Sequence, residues 1–278
     1  MGGSVSTCAC CFPLHRSPFP RALETDSLSK YQPTSMPSDI STASLDETPS
    51  PGPYSCLLAG IHEKAEQFVR IVTEPVAGDL ELVMQQERCA VYTKNTADGF
   101  VIRSEWWTRF APKQYLDFLG NLEKRKTWDR NVEDMHLVEQ LEPQVKVFYQ
   151  AYKSFFMIAA RDLVLACKKF PLERAWIDTC SSIDFPACPL KPGFVRAHVT
   201  LGGYYVEALE QPEGDYQSRV VSYTEGSFGG ALPRSLVKKL STINVPHFVK
   251  AVDEALEAHL KEEADKGLVQ ADLALESS

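Results

Sequence analysis

Large apolar residues fall into a repeating order only from about residue 56 onward. In 57–72, LLAGIHEKAEQFVRIV, the spacing of Leu58, Ile61, Ala65, Phe68 and Val72 predicts a helix with one apolar face. Segments 80–94 and 100–110 carry Leu, Val, Tyr, Phe and Trp at strand-like density. They read as two strands joined through Asn95–Gly99, where Asp98-Gly99 marks a turn. Residues 111–129 read as one helix with a proline in its first turn. Strands are then expected at 135–141, 144–152, 162–169, 176–182, 194–207 and 218–225, with glycines and prolines between them. From Pro233 the pattern is helical to the end, broken at Pro246. Val245, Phe248, Val249, Val252, Leu256 and Leu260 make one apolar stripe there.

A helix, a long antiparallel sheet and a long final helix define an α+β domain, expected to span 56–265. A final helix with so broad an apolar face must lie across the sheet. The simplest such architecture is a curved sheet gripping a helix, with space between them. Residues 1–55 are rich in Ser, Thr and Pro and carry no periodicity. They cannot bury enough surface to offset the entropy of ordering, so they are expected to form a disordered tether, and 266–278 a disordered tail.

Net charge is −8 over 278 residues, which disfavours nucleic acid as the main partner. The eight cysteines do not form a disulfide framework: three crowd the N-terminus and Cys56, Cys89, Cys167, Cys180 and Cys188 are scattered. Apolar runs such as Phe155–Ala160 fall far short of a membrane span, and Pro13, His15, Arg16 and Pro18 interrupt any secretory signal. The expectation is an intracellular protein. The six histidines lie far apart with no metal-ligand spacing. Nucleophile-elbow, P-loop and dinucleotide motifs are absent, so the chain reads as neither an enzyme nor a cofactor or metal protein.

The opening MGGSVSTCACC fits an N-myristoylation pattern, Met1-Gly2-x-x-x-Ser6. One myristoyl chain binds membranes only marginally, with K of about 10⁴ M⁻¹, so lasting attachment needs a second signal. The tail is poor in Lys and Arg, whereas Cys8, Cys10 and Cys11 offer S-acylation beside Gly2. Doubly acylated, the chain would sit on the cytosolic face of a membrane. Incidental cysteines, or a metal site that adds His15, are the competing readings; the latter needs an order that this segment lacks.

Several stretches resemble one family. EKRKTWDRNV (123–132), ARDLVLACK (160–168), GFVRAHV (193–199) and SFGGALPRSLVKKLSTINVPHFVKAV (227–252) are similar to a START domain, the steroidogenic acute regulatory protein-related lipid transfer domain. The matches run in the family's order over roughly 56–262. The resemblance implies a helix-grip fold whose internal tunnel takes one lipid under a C-terminal helical lid. In the family's phosphatidylcholine-binding branch, an Arg-Lys-x-Trp-Asp motif meets the lipid phosphate, and the motif stands here as Arg125 to Asp129. On a helix these two are four apart on one face, and a buried guanidinium with a carboxylate partner suits a phosphate; a surface ion pair is the plain alternative.

The branch's choline-cage aromatics fall on Gln150, Leu163 and Thr200, none aromatic, so the cation–π contact is missing there. Tyr149 adjoins the first of these positions. The polar pair of sterol-binding relatives falls near Phe148 and Cys167. The resemblance thus implies a phospholipid without a choline cage, with sterol or ceramide as alternatives. Trp107 either faces the tunnel or packs in the core, Arg196 either lines the tunnel or makes a structural ion pair, and Arg161-Asp162 is expected to pair structurally. Lipid transfer and lipid-gated sensing remain open, and a monomer is the default.

Overall fold

The computed structural model describes residues 54–154, 158–230 and 234–276, so Gly2, Cys8, Cys10 and Cys11 lie outside the described residues. In chain order the elements are α1 (Ser55–Thr73), β1 (Glu81–Gln86), β2 (Cys89–Asn95), β3 (Phe100–Thr108), α2 (Pro112–Leu119), α3 (Leu122–Trp128), β4 (Val132–Glu142), β5 (Val145–Tyr152), β6 (Ala160–Pro171), β7 (Ala175–Ser182), β8 (Phe194–Arg196), β9 (His198–Glu213), β10 (Tyr216–Ser227) and α4 (Arg234–Glu276). The strands form one sheet in the order β1-β2-β3-β10-β9-β7-β6-β5-β4, with β8 parallel to the start of β6. This is the expected α+β helix-grip arrangement.

Alternation along the strands explains how the sheet buries both faces. In β5, Val145, Val147, Tyr149 and Ala151 point to one side and are fully buried. Its other residues, Lys146, Phe148, Gln150 and Tyr152, point to the opposite side and line a cavity. Helix α1 covers the first face: Phe68 and Val72 pack with Ile177, Leu201, Tyr205 and Val221. Helix α4 covers part of the second, where Val249, Val252 and Leu256 meet Trp106, Val206 and Val220. Burying a side chain of this size contributes about 1.5–3 kcal/mol, so each helix is held to the sheet chiefly by a few such anchors.

Five expectations need correction. Residues 80–94 are two strands, because the chain reverses at Glu87-Arg88 and Gln86 pairs with Cys89. Residues 111–129 are two helices: α2 ends before Gly120, and the Asn121 side chain accepts from the Lys124 N–H at 3.0 Å to start α3. The strand expected at 194–207 divides into β8 and β9, where the Ala197 N–H turns to the Asp162 carbonyl at 2.9 Å. Pro246 lies inside α4 and does not end it. It removes one helical N–H, and Val245, Phe248 and Val249, packed beside it, hold the helix through that point. Finally, α4 is helical to Glu276, past the boundary expected at 265; its Ala, Leu, Glu and Lys content favours helix.

The cavity's cover is fastened at one end by a polar latch. Asp253 of α4 accepts from Arg88 Nη1 at 2.6 Å and from Thr108 Oγ1 at 3.1 Å, and it is buried. Asp253→Asn keeps the shape but removes a charged acceptor, and a hydrogen bond to a charged group contributes about 1.5–3 kcal/mol. With Arg88 partly exposed, the expected loss is about 1–2 kcal/mol, read as a lower denaturant midpoint with an unchanged m-value.

Candidate functional site

Between the inner face of the sheet and helices α3 and α4 lies a cavity of about 1060 Å³. Leu163, Leu165 and Phe148 supply apolar wall from β5 and β6, and Val237, Leu240 and Phe248 do so from α4. Gly202 and Gly203 keep the wall thin where β9 pairs with β7. Gly203 has φ +147°, and a Cβ there would lie 2.2 Å from the Asp178 carbonyl oxygen.

One buried ion pair organises the polar part. Arg125 and Asp129 sit at the end of α3, four residues apart, and both are buried. Arg125 Nε and Nη2 each donate to Asp129 Oδ2 at 2.9 Å, and Asp129 Oδ1 accepts from the Asn131 N–H at 3.2 Å. The guanidinium carbon lies 4.7 Å from the centre of the Trp128 ring and 4.9 Å from that of Phe248, so aromatic faces hold its plane. Burial works against its charge, but the oxygens of Tyr204, Tyr152 and Asp129 outweigh this and hold its pKa above the ordinary value. Asp129 occupies only one edge of the guanidinium fork, so the group retains donors for an acceptor in the cavity. Tyr152 Oη donates to Gln150 Oε1 at 3.0 Å on the neighbouring wall.

With this pair included, the wall carries an excess of cations. Arg125, Lys146, Lys153, Arg161 and Lys169 line it against Asp117, Asp129 and Asp178, in a chain whose net charge is −8. Lys169 is tied to Asp117, Lys153 donates to the Arg130 carbonyl at 3.1 Å, and Arg161 to the Phe228 carbonyl at 3.4 Å. Burial pushes the Asp178 carboxyl up to about 6, against the pull of Lys169 and Lys146.

The sign of the resulting pH dependence follows from that shift. Asp178 binds its proton more tightly folded than unfolded, where the ordinary value is about 3.9. Its contribution is therefore fully present below about pH 4 and is lost as pH rises through 6. Asp178→Asn is expected to be more stable than the parent at pH 7, by about 1–2 kcal/mol after discounting for partial exposure. The difference should vanish near pH 4, as chemical denaturation across the range would show.

Of the residues singled out in the sequence, Arg125, Asp129 and Gln150 line the cavity together. Trp107, Tyr149 and Arg196 do not. Trp107 is buried on the opposite face of β3; its neighbour Trp106 lines the cavity and donates from Nε1 to Tyr115 Oη at 3.0 Å. Tyr149 packs with Val147, Val164 and Phe185 on the outer face, with Lys191 Nζ 3.8 Å from its ring centre. Arg196 makes the structural pair: Nε and Nη2 donate to the two oxygens of Asp162 at 2.9 Å each. Arg161, expected to pair structurally, is on the cavity wall instead. At the choline-cage positions, Gln150 and Leu163 are on the wall, whereas Thr200 is exposed and off it. Sequence reasoning missed Tyr152, Tyr204, Phe248 and Asp178. The parity of β5 and the register β5–β6–β7–β9 was the available signal, since Gln150 fixes which alternate residues share its side.

A broad antiparallel sheet with a long helix over a half-open, part-apolar cavity has room for a hydrophobic small molecule with a polar end. The chain belongs to the START domain family, whose model matches residues 65–262. Its relatives include the ceramide transfer protein of Mus musculus, 22% identical over 211 residues, or 68% of this chain and 34% of that protein. The chain thus spans about a third of the length of the ceramide transfer proteins it matches. The phosphatidylcholine transfer protein of Mus musculus is 27% identical over 156 residues, covering 54% of this chain and 70% of that one. Among solved structures, human StAR-related lipid transfer protein 5 superposes with a TM-score of 0.66 at 20% identity, over 74% of this chain and 99% of that one, and shares the fold. No helix among the described residues is long and apolar enough to cross a membrane.

Proposed function

We propose that the protein holds one phosphate-bearing lipid in this cavity, with the phosphate at Arg125 and the acyl chains along the Phe148, Leu163 and Leu165 wall, and carries or presents it at a membrane. The observation that supports this reading most is the cation excess of the cavity wall around a buried Arg125 in an acidic chain. A guanidinium with donors left over beyond Asp129 and Tyr204 suits phosphate oxygens. With no aromatic at Gln150 or Leu163, a quaternary ammonium head finds no cage at those positions. Ceramide is the second reading: it is favoured by the similarity to ceramide transfer proteins and by the Arg125–Asp129 pair, whose charges cancel and whose edges, with Gln150, suit amide and hydroxyl groups.

Native mass spectrometry of the full chain from a eukaryotic host decides between them. One phospholipid per chain supports the first reading, ceramide the second, and a sterol or an empty cavity removes both. Transfer between donor and acceptor vesicles then separates a carrier from a lipid-gated sensor, which would bind without transferring.

We further propose that Gly2 is myristoylated and that one of Cys8, Cys10 and Cys11 is S-acylated, anchoring the domain to a cytosolic membrane face. Click-myristate labelling that persists in Gly2→Ala, or is missing in the parent, removes the anchor.

A further inference from the structure

Two thiols in the cavity wall have no part in the head-group site. Cys167 of β6 and Cys180 of β7 are directly opposed in an antiparallel pair, and both line the cavity. The phase of the ladder fixes what kind of pair they are. The Ile183 N–H donates to the Val164 carbonyl at 3.1 Å, and the Leu172 N–H to the Ala175 carbonyl at 2.8 Å. Pairs 164/183 and 172/175 are therefore hydrogen-bonded ones, and by strict alternation 167/180 is not. At such positions the Cα atoms approach to about 4.5 Å and the side chains are closest, inside the span of about 4.4–6.8 Å that a disulfide bridges. Both residues are free thiols. On the next strand a Gly202 Cβ would lie 3.6 Å from Cys180 Sγ, so backbone closes that side. The open approach is from the cavity.

We propose that Cys167 and Cys180 form a redox-closable dithiol, oxidised by small-molecule disulfides such as glutathione disulfide only while the cavity holds no lipid. The lipid dependence rests on the function proposed above. In the first step one cysteine, as thiolate, attacks a sulfur of the small disulfide. A protein–glutathione mixed disulfide forms and one glutathione thiolate leaves. The second cysteine, on losing its proton, then attacks the protein sulfur of that mixed disulfide and expels the second glutathione. Two protein thiols are oxidised, one small disulfide is reduced, and the two protons lost end on the two glutathiones. The neighbouring Cys180 thiol and burial hold the Cys167 thiol well above the usual thiol range, so the exchange should speed up with rising pH. An acyl chain lying on the same wall covers both sulfurs and blocks the attack.

The test uses the full chain, delipidated or loaded with dioleoylphosphatidic acid, with occupancy read by native mass spectrometry. Each sample is exposed to glutathione disulfide at mildly alkaline pH, quenched with N-ethylmaleimide and digested without reduction. The expected product from lipid-free protein is one linked peptide pair carrying Cys167 and Cys180, lighter by two hydrogens and absent in Cys180→Ser. In the loaded protein it should form at least about tenfold more slowly, since access controls exchange. Cysteines that stay separately alkylated, or that stop as glutathione adducts in lipid-free protein, overturn the dithiol whatever the lipid does. Equal rates in protein shown to be loaded overturn the gating and leave the lipid reading intact. Failure of any loading removes the lipid reading and the gating with it, while the lipid-free arm still decides the dithiol.

Discussion

Arg125→Leu should lose the phospholipid proposed for the cavity and unfold at markedly lower denaturant than the parent. The two losses have different causes and can be separated. Asp129 would keep only the Asn131 N–H as a partner while remaining buried, and leaving one member of a buried ion pair alone costs about 3–5 kcal/mol. The loss of the cation between the rings of Trp128 and Phe248 adds to this. In Arg125→Leu/Asp129→Leu no charge is stranded, and replacing a whole buried pair with apolar groups is often close to neutral. The double variant should recover most of the stability and none of the phospholipid, measured as denaturant midpoint and native-mass occupancy. A double variant that still copurifies with one phospholipid would show that the head group is held elsewhere. A double variant as unstable as the single would show that the pair's environment cannot be made apolar, with the Tyr204 hydroxyl left without Arg125 beside it.

The order of elements was largely legible in the sequence because helical and strand periods differ and because glycines and prolines separate the strands. What was not legible has physical reasons. The turn at Glu87-Arg88 carries no Gly, Asn or Pro, so nothing in the residue types marks where β1 gives way to β2. Pro246 reads as a helix break because local sequence cannot count the packing that holds α4 through it. The choice between Trp106 and Trp107, or between Gln150 and Tyr149, turns on one residue of parity. In a sheet with one wet face the apolar set would identify the interior. Here α1 covers one face and α4 with the cavity the other. In β5 the cavity side is even the more polar one, with Lys146 and Gln150, and by the usual rule it would be assigned to solvent. Arg125 and Asp129 were singled out through the resemblance of Arg125–Asp129 to a family motif, supported by a partnership that is local, four residues apart, whereas Asp178 acquires its environment from other strands.

The same reasoning separates a second buried Arg–Asp pair from the first. Asp162 is 1% exposed and its carboxylate accepts two hydrogen bonds from Arg196, whose Nη2 also reaches the carbonyl of Pro189 at 3.2 Å. The pair joins the start of β6 to β8 and the 188–189 segment, outside the cavity. Asp162→Ala would leave a part-exposed guanidinium with carbonyl partners only, and the expected cost is about 1–3 kcal/mol, smaller than at Arg125. The consequence for lipid should be the reverse of that at Arg125. Molecules of Asp162→Ala that remain folded should hold lipid at the parent's stoichiometry, because no atom of the pair touches the wall. Arg196→Leu/Asp162→Leu should recover stability and keep the lipid. Occupancy per folded molecule, measured at a temperature where each variant is mostly native, therefore distinguishes the two pairs. Equal loss of lipid in both would mean that β8 carries part of the head-group site, and the boundary of the cavity would have to be redrawn around Arg196.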